Sequence, residues 1–184
     1  ATQFTSLDGF TAFEGFSGVR RSSIGVITDS DATGNAGTVN MTTPNLNVSN
    51  GARITAQTLG DGTGGRLNLQ VGNGITLQGK DSGIFSNGTA RGDGGQIVIN
   101  APNITIGNGA RIGVDSTGSG KGGELSLQSN SLIMENQGQI TAETAGNTGG
   151  NINLKVSDII VLRYNSTISS NAVSYTHLTL PTKA

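Results

Sequence analysis

The pentapeptide N-G-A-R-I occurs twice, at residues 50–54 and at residues 108–112, 58 positions apart. A second signal resolves that interval. Small–glycine pairs stand at Ala36-Gly37, Gly64-Gly65, Gly94-Gly95, Gly122-Gly123 and Gly149-Gly150, and their second members are 28, 30, 28 and 27 residues apart. The pentapeptide is therefore one position of a repeat of about 28 residues, seen in alternate copies. A fixed period of this length predicts a stack of like units, each burying its apolar surface only against its neighbours.

The residues after each glycine pair identify the unit. Apolar residues alternate with polar ones at Val39/Met41, Leu67/Leu69, Ile97/Ile99, Leu125/Leu127 and Ile152/Leu154. A second alternating pair comes next, at Leu46/Val48, Ile75/Leu77, Ile104/Ile106, Leu132/Met134 and Ile159/Val161. A third begins at Ile54, Ile84, Ile112, Ile140 and Ile168, with Ala56, Ser86, Val114, Ala142 and Ser170 two residues on. Period-two alternation is strand chemistry, and no stretch sustains the helical period. The expected fold is an all-β, right-handed parallel β-helix with three short strands per coil. Each strand pairs with its equivalent one coil away, and inward residues stack in columns.

Composition fits that layout. Glycine is 30 of 184 residues and only 33% are hydrophobic, which suits a narrow apolar shaft better than a spherical core. The absence of cysteine excludes disulfides and thiol chemistry. A net charge of −1 gives no pull toward nucleic acid or an anionic membrane. No apolar run reaches the roughly 18 residues of a spanning helix.

The corners are legible too. Pro44 and Pro102 each fall seven residues after a pair glycine, and proline suits a bend because it cannot donate to a ladder. Asn50-Gly51 and Asn108-Gly109 mark the next bend, and the glycine pairs the third. The longest coil is expected to carry its two extra residues together around Lys80 to Ser82. Residues 1–26, with four of the five phenylalanines, match the repeat poorly and are expected to form an irregular excursion from an earlier coil. Residues 27–172 are the repeats, although Ile24 already fits the third column. Residues 173–184 hold the only histidine, ignore the period and read as a non-native tail.

The stretch T-G-N-A-G-T-V-N-M-T-T-P-N-L-N-V-S-N-G-A-R-I-T-A-Q-T-L-G-D-G-T-G-G-R-L-N-L resembles passenger repeats of the filamentous haemagglutinin family, the exoproteins of two-partner secretion, especially their cyanobacterial versions. The likeness covers about residues 20–172. It rests on the glycine-pair start, the N-G-A corner, the I-x-A strand and the T-x-G-x-G-x-G-G link. It implies export by an outer-membrane transporter, an extracellular or cell-surface location, and adhesion to glycans or proteins of a host or neighbouring cell. The family's N-P-N-G secretion motif is not found in this sequence.

A β-helix can also carry polysaccharide lyases or hydrolases, which need carboxylates clustered on neighbouring coils beside a cation. Asp61, Asp93, Asp115 and Glu143 stand at different distances from the next glycine pair, so no carboxylate column is expected. No catalytic, cofactor or metal residue is assigned. Arg53 and Arg111 share a column two coils apart, with Arg66 and Arg91 elsewhere, so no basic groove is expected either. The candidate contact residues are Arg91, Gly92 and Asp93, an R-G-D tripeptide in a corner, and Phe85, Ile133 and Ile160. Those three apolar residues fall where alternation points outward, with Ile133 and Ile160 in one column. The function expected is a shaft segment of a secreted adhesin, and the alternative is a polysaccharide-active β-helix enzyme.

Overall fold

In a computed structural model, which describes residues 13–14, 23–146 and 148–172, the described residues form a stack of parallel strands with no helix among them. It forms a β-solenoid of about five turns, roughly 28 residues apart. The strands are β1 (Phe13–Glu14), β2 (Ser23–Thr28), β3 (Thr38–Ser49), β4 (Arg53–Thr58), β5 (Arg66–Gln78), β6 (Gly83–Phe85) and β7 (Gln96–Asn100). They continue as β8 (Asn103–Gly107), β9 (Arg111–Gly113), β10 (Glu124–Met134), β11 (Gln139–Thr141), β12 (Asn151–Leu162) and β13 (Thr167–Ser169).

Two sheets run the length of the stack. One is ordered β1-β3-β5-β7-β10-β12, with β8 between β5 and β10, and the other β13-β11-β9-β6-β4-β2. The first two strand segments of each coil thus run on as one bent strand in β3, β5, β10 and β12. Only the coil containing Ala101-Pro102 separates them, as β7 and β8. Pro44 sits inside β3 at a register irregularity between Thr43 and Asn45, where a missing N–H costs no ladder bond.

Register carries the columns. Ile24, Ile54, Ile84, Ile112, Ile140 and Ile168 are successive partners. Leu67, Ile97, Leu125 and Ile152 align the same way in the first sheet. Inward aliphatics from Val39 to Ala142 are nearly all fully buried and form a single core cluster. No described residue stacks on the last coil, where Ile152, Leu154 and Ile168 are only partly buried.

Three corners explain how the chain turns. Asn50-Gly51, Asn108-Gly109, Asn136-Gln137 and Tyr164-Asn165 all have two successive positive φ angles. Each turn is closed by a backbone bond, for example Ala52 N–H to Ser49 O at 3.0 Å and Ala110 N–H to Gly107 O at 3.1 Å. The glycine pairs work differently, because none of them has positive φ. A Cβ on Gly65 would lie 2.1 Å from Gly37 O, and one on Gly123 2.2 Å from Gly95 O. Backbones of successive coils touch there, and only glycine admits the contact.

The extra residues of the longest coil are split, contrary to the expectation of one insertion near Lys80. Gln70 pairs with Asn100 but Gly74 with Asn103, and Gln78 pairs with Gly107 but Gly83 with Arg111. One residue is added at 71–73 and one at 79–82, because each corner absorbs a single residue without moving the strand register. Strand β2 already belongs to the solenoid and straddles the boundary expected at residue 26. Most of the expected irregular segment, and all of residues 173–184, lie outside the described residues.

Candidate binding face

The outer face of the second sheet carries three columns of side chains. The first is Ser23, Arg53, Gly83, Arg111, Gln139 and Thr167. The second is Gly25, Thr55, Phe85, Gly113, Thr141 and Ser169. The third is set by the bridges Gly88–Ser116, Ser116–Thr144 and Thr144–Ala172 and comprises Asn87, Asp115, Glu143 and Asn171.

Phe85 sits at the centre of this face. Alternation predicts that it is open to solvent, yet only 6% of it is exposed. Gly83 supplies the space: a Cβ there would meet Phe85 Cζ at 2.8 Å, so the ring folds back over its own strand. The guanidiniums of Arg53 and Arg111, one coil to either side, stand 5.1 and 5.2 Å from the ring centroid. The outward direction of Phe85 is as alternation requires. Its burial comes from two arginine stems and a missing side chain, neither of which lies next to it in sequence.

Both arginines are also paired with carboxylates. Arg53 Nε donates to Asp81 O at 3.0 Å, and its Nη2 lies 3.6 Å from Asp81 Oδ1. Arg111 Nη1 lies 3.2 Å from Asp115 Oδ2. The Asp115 carboxylate folds over Gly113, whose imagined Cβ would be 2.9 Å from Oδ2. It accepts from Thr141 Oγ1 at 3.1 Å and from the Glu143 N–H at 2.9 Å. Asp115 and Glu143 are thus neighbours in one column, against the expectation that no carboxylates would align. The linker after Glu143 is one residue shorter than the one after Asp115, so counting back from the glycine pair displaces the two carboxylates by one.

Together these side chains border a groove of about 400 Å³ lined by Arg53, Lys80, Asp81, Phe85, Arg111, Gln137 and Gln139, among others. Three cations border this groove, and the two arginines among them are paired with carboxylates. Lys80 reaches it only from the lengthened corner. A second depression of about 600 Å³, beside Asp115 and Glu143, shares Arg111 with it.

The R-G-D tripeptide is placed less openly. Arg91 is exposed, but Gly92 is buried between coils: its imagined Cβ would be 2.1 Å from Gly62 O. The Asp93 carboxylate accepts the Lys121 N–H at 2.7 Å, so it caps the next coil. Asn35 does the same two coils earlier in the stack, accepting the Thr63 N–H at 2.9 Å.

The expected pair of Ile133 and Ile160 does not share a column. A bulge in β12 puts Ile160 opposite Leu132 and Val161 opposite Ile133. Ile160 therefore falls in the column of the inward Leu132 and, in the last described coil, is 47% exposed. The outward apolar neighbours of Ile133 are Val161 and Ile159, the latter 52% exposed. Nothing in the local pattern warns of the slip, since I-I-V-L offers an apolar residue in either register.

Among the described residues there is no group of three or more metal-ligating side chains, and no helix is long and apolar enough to cross a membrane. No family model, no curated protein and no solved structure matches the chain.

Proposed function

We propose that this chain is a shaft segment of a secreted, cell-surface adhesin, which extends and presents binding regions. The observation that supports this reading most is the unbroken stacking. Every coil repeats the same inward columns, and corner insertions leave the register intact, so length can be added coil by coil without redesigning the core. The resemblance to filamentous haemagglutinin repeats points the same way and adds export through an outer-membrane transporter. Glycans or proteins on a neighbouring surface are the partners this reading implies.

The rival reading, a polysaccharide-active enzyme on the same fold, draws on one observation: Asp115 and Glu143 stand on adjacent coils with Arg111 beside them. Paired carboxylates next to a cation are what glycosidic chemistry requires. Against it, the Asp115 carboxylate already takes Thr141, Glu143 N–H and Arg111 as structural partners, and its side chain is 9% exposed.

A single deletion separates the two. Removal of residues 95–122, one 28-residue period, joins coils with matching columns, shortens the fibre by about 4.8 Å and takes Arg111 and Asp115 with it. On a bacterium displaying the protein, the shaft reading expects unchanged secretion and protease resistance. The enzyme reading expects polysaccharide cleavage in the intact protein and none in the deletion. Failure of the deleted protein to reach the surface would refute the shaft.

A further inference from the structure

The second full coil departs from its neighbours at three positions that the fold brings together. Its corner at residues 79–82 is one residue longer and carries Lys80. Glycine stands at 83 where the flanking coils have Arg53 and Arg111, and phenylalanine at 85 where they have Thr55 and Gly113. In a solenoid, the residues that interrupt the repeat on one face are those free to serve recognition. Here the three departures build one groove, of about 400 Å³.

Its chemistry is specific. Both guanidiniums lie against the Phe85 ring, at 5.1 and 5.2 Å from its centroid, and that contact together with the aspartate pairs restricts rotamer freedom that binding would otherwise have to remove. Asp81 and Asp115 each pair with one arginine. Lys80 is exposed and forms no ion pair with a described residue, which leaves one excess positive charge. One charge suits a monoanion such as a carboxylate, not a dianionic phosphate. Gln137, exposed, and Gln139, half-buried, form no side-chain hydrogen bonds with described residues, and each carboxamide offers both donors and an acceptor. The covered ring gives an apolar peptide side chain nothing to pack on.

We propose that this groove binds a uronate-bearing saccharide. Lys80 and the outer edge of Arg111 receive the carboxylate, and Gln137 and Gln139 receive the ring hydroxyls. The shaft is then itself a binding element and not only a spacer.

Titration calorimetry of the 184-residue chain with oligogalacturonate tests this, with its methyl ester, acetate and a polyglutamate peptide as the other arms. Oligogalacturonate is expected to bind and to weaken with added salt, while methyl ester and acetate are not expected to bind. Lys80→Gln should weaken binding about two- to fivefold, as for an exposed ion pair. Arg111→Lys, which keeps the charge but loses the planar fork, should weaken it about tenfold. Arg91→Gln, outside the groove, should change nothing. Urea midpoints are recorded for each variant, and if Arg111→Lys fails to fold the exposed Lys80→Gln decides alone. Absence of oligogalacturonate binding, equal binding of the methyl ester or of polyglutamate, or indifference to Lys80→Gln overturns the proposal. None of these results bears on the shaft reading, which stands or falls with the coil deletion.

Discussion

Replacing Phe85 by leucine separates the two reasons the ring is buried. Leucine keeps most of the apolar volume over Gly83, and a near volume-conserving exchange costs less than about 1.5 kcal/mol. What leucine cannot supply is the quadrupole between Arg53 and Arg111, whose guanidiniums lie 5.1 and 5.2 Å from the ring centroid. The arginine side chains are 36% and 35% exposed, between fully solvated and desolvated, so each contact is worth about 1 kcal/mol. Phe85→Leu should therefore lose about 2–3 kcal/mol in total. The Arg53→Gln variant alone confounds the ring contact with the Asp81 pair, but a double-mutant cycle removes that ambiguity, because the Asp81 contact is lost in both backgrounds. Urea unfolding of the wild type, both single variants and the double variant, followed by circular dichroism, should give a coupling energy of about 1 kcal/mol. A coupling within about 0.3 kcal/mol of zero, the usual limit of additivity, would show that the arginines merely lie near the ring. The stacking argument would then fail, and the pre-oriented groove with it.

Ile112 is fully buried between Ile84 and Ile140, so Ile112→Asp should cost several kcal/mol and collapse the urea midpoint, whereas Thr105→Asp on an outer column should cost under about 1 kcal/mol. Equal midpoints would refute the assigned register. Gly95→Ala would place a Cβ 2.1 Å from Ser86 Oγ and 2.2 Å from Gly65 O, and should destabilise by about 1–3 kcal/mol; Gly34→Ala meets nothing within 4 Å and should be neutral or stabilising by about 0.4–1 kcal/mol. Thermal melts of the two variants check this, and a Gly95→Ala protein as stable as the wild type would remove close approach as the reason for the glycine pairs. Asp93→Ala should cost about 1–3 kcal/mol through the lost cap on Lys121 N–H, while Arg91→Ala stays within about 0.5 kcal/mol. If chemical denaturation ranks those two the other way, the tripeptide is a surface ligand and not an inter-coil cap.

The solenoid, its period and most of its inward columns are legible in the amino-acid order alone. Those features are written locally: alternation within a strand sets which side chains face in, and the glycine pairs mark where each unit restarts. The Asn-Gly corners are legible for a similar reason, since two successive left-handed residues have few other solutions. Whatever depends on counting across a corner is settled only by the folded stack. The bulge in β12 moves Ile160 into the shaft and Ile159 and Val161 onto the surface, because a one-residue slip exchanges the two faces of a strand. The same arithmetic hides the Asp115–Glu143 column behind a shortened linker. The binding face is the least legible part. Arg53, Lys80, Phe85 and Arg111 span three coils and 59 residues of sequence, and only the roughly 4.8 Å repeat of parallel strands sets two guanidiniums on either side of one ring. Alternation states the direction of a side chain. Whether that side chain meets water or an arginine from the next coil is decided by what the neighbouring coils place above and below it.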